Sequence, residues 1–240
     1  MNLPVIYTFS PRWGLPSTGP FALKLLAWVN HAGIAHTQAY EDRPEKGPLG
    51  KSPWMELGGT RMGDSDAIIA HLAKRQGMDD PLPVNNAGEA RADALKIAFE
   101  ERFHQILEWE LFVHPEGAAE MRRIVASLAP PVLAGLITSR MIRHFSRQLH
   151  ARGIGRLEAQ VIADLGRRQL DGLALCLEEG DGWLGGDAPA LADFAVWGQV
   201  APMLHWPMRG PVAAHARSLP ALADWHGRIM AACFATSAAA

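Results

Sequence analysis

Apolar residues recur with two different periods along this chain. From Pro4 to Phe9 they form a short run with β-branched and aromatic members, the signature of a strand. A loop rich in Pro, Gly and Ser follows, through Ser10-Pro11 and Gly14 to Gly19. Pro20 suits the first turn of a helix, and Phe21, Leu25, Leu26, Trp28 and Val29 then recur at helical spacing until Gly33 stops them. Ile34 to Tyr40 reads as a second strand, and the charged, turn-rich stretch from Glu41 to Gly50 as a loop. Trp54–Leu57 and Thr60–Met62 flank Gly58-Gly59, which predicts a hairpin. Asp64 or Ser65 then caps a helix that carries Ile68, Ile69 and Leu72.

Asp79 to Asn86 has the composition of a linker, and beyond it the helical period dominates. Leu95, Phe99, Phe103, Ile106 and Leu107 make one stripe. Leu157, Val161, Leu165, Leu170, Leu173 and Leu177 make the expected inner side of a helix over about 154–179. Further helices are expected from Ala190, with Phe194, Val196, Trp197 and Val200, and over 219–234. The expected organisation is therefore α/β plus all-α: a small α/β unit with a mixed sheet over 1–78, a linker over 79–86, and an all-helical unit over 87–240.

The longest apolar region, Ile124 to Ile137, contains Pro130-Pro131 and Gly135 and is flanked by Arg122, Arg123, Arg140 and Arg143. It is shorter than the roughly 20 residues a spanning helix requires. A buried bend between two helices is the expectation; a surface that touches a membrane or a partner is the alternative.

Composition narrows the picture. In 240 residues the formal net charge is −2, so there is no overall basic excess to hold nucleic acid by counterion release. The two cysteines, Cys176 and Cys233, form no Cys-x-x-Cys pair, which fits a reduced, cytoplasmic setting. The first residues lack a basic segment followed by a long apolar one, so no secretory signal is expected. His104 and Glu108 stand one helical turn apart, but two ligands do not make a metal site, and no metal is expected.

Three segments carry a family resemblance: Gly19-Pro20-Phe21-Ala22-Leu23-Lys24-Leu25, Gly50-Lys51-Ser52-Pro53, and Gly63-Asp64-Ser65-Asp66-Ala67-Ile68-Ile69. With Gly153-Ile154-Gly155-Arg156 and Leu184 to Asp193 in the second half, the chain resembles the glutathione S-transferase family. Within it, the chain looks like the branch of failed-axon-connections proteins and metaxins. The resemblance implies a thioredoxin-like N-terminal domain, an all-helical C-terminal domain, glutathione as co-substrate, a small apolar electrophile as second substrate, and a possible homodimer. It covers most of the chain, but about 110–150 only poorly. Two departures stand out. Ala190 occupies a place where relatives carry a Ser or Thr helix cap, and Gly19 and Ala22 occupy places where relatives carry Cys or Ser, so no dithiol chemistry is available there.

The resemblance assigns residues to tasks. Pro53 is expected in the cis form, with the Ser52 backbone pairing with the cysteinyl part of glutathione as an added strand. Lys51 meets the glycyl carboxylate, the helix start at Ser65 receives the γ-glutamyl carboxylate, and Asp64 accepts from the ammonium group. A free thiol has a pKa of about 8.5 and must be lowered. A helix N-terminus at Pro20 and a donating hydroxyl can both do this, with Ser17 and Thr18 ranked ahead of Ser10 and Tyr7. Each of these residues also has a plainer reading as a turn, a cap or a solvated charge. Trp13, Trp109, Phe112 and Trp206 are candidates for an apolar acceptor wall or for core. A conjugating enzyme is the leading expectation. A non-catalytic adaptor on the same fold, or a glutathione-dependent isomerase or dehalogenase, are the alternatives.

Overall fold

A computed structural model of the chain describes residues 2–180 and 182–235. Four strands form one sheet in the order β2-β1-β3-β4. β1 (Val5–Thr8) and β2 (Thr37–Tyr40) are parallel and are joined across the sheet by helix α1 (Pro20–His31). β3 (Trp54–Leu57) runs antiparallel to β1 and pairs with β4 (Thr60–Gly63) as a hairpin. Gly58 and Gly59 both have positive φ, 58° and 85°, which is what a two-residue hairpin turn demands. Helix α2 (Ser65–Arg75) follows directly. Ile6 and Met55 from the sheet, Leu25 and Trp28 from α1, and Ile68, Ile69 and Leu72 from α2 are buried in one core.

The helical part opens with a long continuous helical stretch. α3 (Ala87–Ile97) and α4 (His104–Glu108) are separated by a π segment, Ala98–Phe103, and followed by another, Trp109–Val113. The wider π turns shift the helical phase, and Phe99, Phe103, Ile106 and Leu107 all reach the interior as the stripe predicts. Then come α5 (Pro115–Leu128), α6 (Pro131–Ala151), α7 (Ala159–Glu179), α8 (Leu191–His205), α9 (Pro211–Ser218) and α10 (Pro220–Phe234). α8 is the central element: every residue from Leu191 to Met203 is buried. It packs against α1, and Gly198 is what permits it, because a Cβ there would lie 2.4 Å from the Pro20 carbonyl oxygen. That contact fixes the start of α1 against the helical part.

Two expectations are corrected. Leu157 and Val161 are not on an inner face; they are 40% and 43% exposed, and Ile162, Ala163 and Gly166 face inward in their place. α7 starts only at Ala159, after a 3-10 turn at Ile154–Arg156, so the inward stripe begins one position later than a helix running from Ile154 would place it. The apolar region around Pro130 is not a buried bend. It is the tip of a helical hairpin, with Leu128, Leu133, Leu136 and Ile137 between 43% and 69% exposed.

Candidate functional site at the start of the first two helices

The loop from Ser10 to Gly19 delivers the chain to the start of α1, and several contacts hold it. The Ser10 amide and hydroxyl both donate to the Asp42 carboxylate, at 2.9 and 2.7 Å. The Gln38 amide donates to the Pro16 carbonyl at 3.0 Å. The Trp13 carbonyl accepts from His205 Nδ1 at 3.0 Å. Behind His205 the relay continues to His226 at 2.8 Å and to the Trp197 indole at 2.9 Å. An indole N–H can only donate, so His226 Nδ1 is unprotonated, its Nε2–H donates to His205, and His205 donates onward from Nδ1. Both rings are neutral in this arrangement. Burial, reinforced by His205, pushes His226 down to about 4.

The four candidate hydroxyls differ sharply. The Tyr7 hydroxyl donates to Glu56 at 3.2 Å and its ring stacks on Trp54. Ser10 is committed to Asp42. Ser17 is fully buried, and its Oγ accepts from the Gly19 amide at 3.2 Å, closing the turn. Thr18 is only partly buried and has no side-chain hydrogen-bond partner among the described residues. Next to it, Gly19 is the N-cap of α1 and has no side chain to cap the helix. A Cβ there would meet the Phe9 ring at 3.1 Å. Pro20 brings no N–H, so the Phe21 and Ala22 amides are the open donors of the first turn.

Across the sheet, the Ser52–Pro53 bond is cis. Among the described residues neither the N–H nor the C=O of Ser52 makes a backbone hydrogen bond outside regular elements, and its buried hydroxyl has no partner. Lys51 beside it is exposed. At the start of α2, Asp64 proves to be the cap: its Oδ1 accepts from the Ala67 amide at 2.9 Å, with φ at 72°. Ser65 is the first helical residue and is 4% exposed. The second oxygen of Asp64 is not used in the cap.

A buried ionic cluster beneath this helix start escaped sequence reasoning. Lys24 Nζ lies 2.6 Å from both Asp66 and Glu100, and Lys96 lies 2.8 Å from Asp66. It ties α1 and α2 to α3 and the π segment that follows. Burial alone raises the Asp66 carboxyl, but Lys24 and Lys96 outweigh it and hold it below its ordinary value. Lys24 sits on a helix with an apolar face, which in sequence gives no sign of a buried cation.

The opposite wall carries His104, whose ring lies 5.1 Å from Phe21 and 2.9 Å, atom to atom, from Gln199. Glu108 is 3.4 Å from His104 and 3.0 Å from Arg152. Burial raises the Glu108 carboxyl, yet His104, Arg152 and, more weakly, Lys51 hold it below the ordinary value. Of the candidate aromatics, Trp13 packs edge-on against Trp206, Trp109 and Trp206 are buried, and Phe112 stacks on Phe145 at 3.7 Å. They behave as packing, with Trp13 the partly buried member nearest the loop. Among the described residues no cluster of three or more metal-ligating side chains occurs.

Residues 20–117 match the glutathione S-transferase N-terminal domain. The loop that carries Ser17 and Thr18 precedes the matched segment. Over 238 residues the chain is 25% identical to isoprene-epoxide–glutathione S-transferase of Rhodococcus sp. (strain AD45), covering 93% of this chain and 96% of that one. Among solved structures it is similar to a beta-etherase from Sphingobium sp. strain SYK-6, with a TM-score of 0.61, 17% identity and 96% of each chain covered. It is also similar to a glutathione S-transferase from Sinorhizobium meliloti 1021, with a TM-score of 0.60, 14% identity, and 95% and 88% covered. A matched N-terminal segment, a relative aligned almost end to end and a shared two-part architecture agree: the chain is similar over nearly its whole length to glutathione S-transferases.

Proposed function

We propose that the chain binds glutathione between Ser52 and the Asp64–Ser65 helix start and transfers it to a small apolar electrophile. The observation that carries this reading is the unpaired backbone of Ser52 beside Pro53, close in sequence to the Asp64-capped start of α2. An extended peptide can pair with Ser52 as an added strand. Its γ-glutamyl carboxylate then meets the amides and hydroxyl at Ser65, and its ammonium group the free oxygen of Asp64. Lys51 supplies a charge for the glycyl end.

The thiol proton has to leave near neutral pH. The uncapped first turn of α1 offers two amide donors and the positive end of a helix dipole of about half a unit charge. Thr18, the hydroxyl left without another partner, donates to the sulfur in this reading. Ser17 serves the turn. The thiolate then attacks an electrophilic carbon. For an epoxide, the new C–S bond forms as the C–O bond breaks, and the alkoxide takes a proton from solvent. An epoxide is the first class to try, because the similar Rhodococcus enzyme is named for one. The domain division at 79–86, a homodimer and a cytoplasmic setting belong to the same proposal. Sedimentation of the purified chain checks the dimer.

Asp64→Asn separates cap from charge, since the amide oxygen can still accept from Ala67. Immobilised glutathione should retain the protein and release the variant. Thr18→Val should lower turnover of an epoxide about 100-fold, the scale of losing one aligned donor to a developing anion. Retention of wild type without turnover of epoxides or other electrophiles would favour the non-catalytic adaptor, a reading that Gly19 and the committed hydroxyls of Tyr7 and Ser10 also support. Absence of retention would end the glutathione reading.

A further inference from the structure

Between Glu120 and Glu158 the chain contains seven arginines and no acidic residue, although its overall charge is −2. Five of them, Arg122, Arg123, Arg140, Arg143 and Arg147, lie on the hairpin of α5 and α6. Arg123 pairs with Glu120 and Arg152 with Glu108, but Arg122, Arg140, Arg143 and Arg147 are exposed with no carboxylate partner among the described residues. On α6 the exposed residues Leu133, Leu136, Ile137, Arg140, Arg143 and Arg147 follow helical spacing, so they form one outward stripe. That stripe is apolar towards the tip and basic behind it. Leu128, at the end of α5, joins the apolar part, with Arg122 and Arg123 behind it.

The dimensions fit a lipid surface. At 1.5 Å per residue, the apolar part of α6 reaches about 9 Å from the helix start, and Arg140 stands about 14 Å from it. An apolar face embedded in a membrane interface goes about 5–10 Å deep. The arginines then lie at headgroup level, with long stems to reach it. No described helix is long and apolar enough to cross a membrane, so the contact is peripheral. A second copy of the same hairpin is a poor occupant, because two arginine-rich faces of like charge repel. A nucleic acid would leave the aliphatic tip unused, and the hairpin's one phenylalanine, Phe145, is already stacked on Phe112.

We infer that the α5–α6 hairpin is a docking surface for anionic lipid membranes, with Leu128, Leu133, Leu136 and Ile137 inserted and the arginine collar held at the headgroups. The inference is independent of the glutathione reading.

Vesicle flotation with the full chain tests it, using phosphatidylcholine alone and phosphatidylcholine mixed with phosphatidylglycerol. The chain should float with the anionic vesicles only, and added salt should release it. Arg140→Gln with Arg143→Gln should weaken binding about 25-fold, taking about fivefold for each arginine near a charged membrane. Leu133→Ser with Leu136→Ser should abolish it, and circular dichroism should show both variants folded. If a variant fails to fold, the lipid and salt dependence of the wild type still decide. No flotation of the wild type with anionic vesicles overturns the proposal, as does flotation unaffected in folded variants. Binding to RNA, or a change of oligomeric state in the leucine variant, either of them without vesicle binding by the wild type, overturns it in favour of that partner.

Discussion

Helices α8 and α6 each contain a run of apolar residues, yet the surroundings of those runs are opposite. α8 is enclosed by α1, α3, α9 and α10, and every residue from Leu191 to Met203 is buried. α6 leans mainly on α5 and the neighbouring π segment, and Leu136 on its outer side is 69% exposed. The difference teaches that an apolar run reports an affinity for cover and not the presence of cover. α8 organises the core and anchors the site through Gly198. α6 is left free to meet something else.

Mutation can break this contrast, and the largest effect should come from its buried side. Trp197→Ala in α8 should cost about 3–5 kcal/mol in denaturant unfolding. It also leaves His226 Nδ1 without the indole that donates to it. If the loss were below 1 kcal/mol, the central role of α8 would be wrong.

The buried charges sharpen the same contrast. Lys24, 1% exposed on α1, serves both Asp66 and Glu100. Lys24→Met should destabilise by about 3 kcal/mol, because it leaves partly compensated buried carboxylates. Urea unfolding measures it. A stabilised variant would mean that the cluster serves only to set geometry.

The third test uses pH. Glu110 is 1% exposed, and one of its oxygens accepts from the Val212 and Ala213 amides at the start of α9. Burial pushes its carboxyl up to about 7 from an ordinary 4.5, against those two bonds. The folded state therefore keeps a proton that the unfolded chain has lost. The stabilisation is full below pH 4.5 and disappears as pH rises through 7. Glu110→Gln can keep the amide contacts and removes the titration. On acidification from pH 8 to 4.5, the wild type should gain about 3 kcal/mol relative to the variant. Equal pH profiles would count against a buried, protonated Glu110. His226 works in the other direction: its depressed value gives stability that is full above pH 6.5 and is lost as pH falls towards 4.

The smallest effect belongs to the exposed side. Leu136→Ser should change stability by no more than about 0.5 kcal/mol. A thermal scan that showed a loss as large as that of Trp197→Ala would erase the distinction between the two helices.

Much of the fold was legible because it is written in local terms. Gly58-Gly59 demands a hairpin, Pro20 and Gly33 bracket a helix, and the stripe through Phe99, Phe103 and Ile106 has only one way to be buried. The local geometry of the candidate site was legible in part. Pro53 and the Asp64–Ser65 helix start stand where motif spacing puts them, and Asp64 rather than Ser65 turned out to be the cap. The ranking of hydroxyls was not legible. Ser17 and Thr18 are neighbours with similar chemistry, and only the turn closed by Ser17 separates them. Asp193 shows both sides of the matter. It binds the Ala190 amide, as half a capping box should, and also the Leu184 amide and the Trp225 indole. The first partner is three residues away and readable; the indole is on another helix.

By itself the sequence determined the order of strands and helices and the turn chemistry, since each depends on neighbours within a few residues. Tertiary structure alone decided which apolar runs found cover, which charges were buried together, and which hydroxyl stayed free. Those outcomes depend on partners brought together from distant parts of the chain, such as Lys24 with Glu100, Glu110 with Val212, and Trp13 with His205, and local pattern carries no record of who those partners will be.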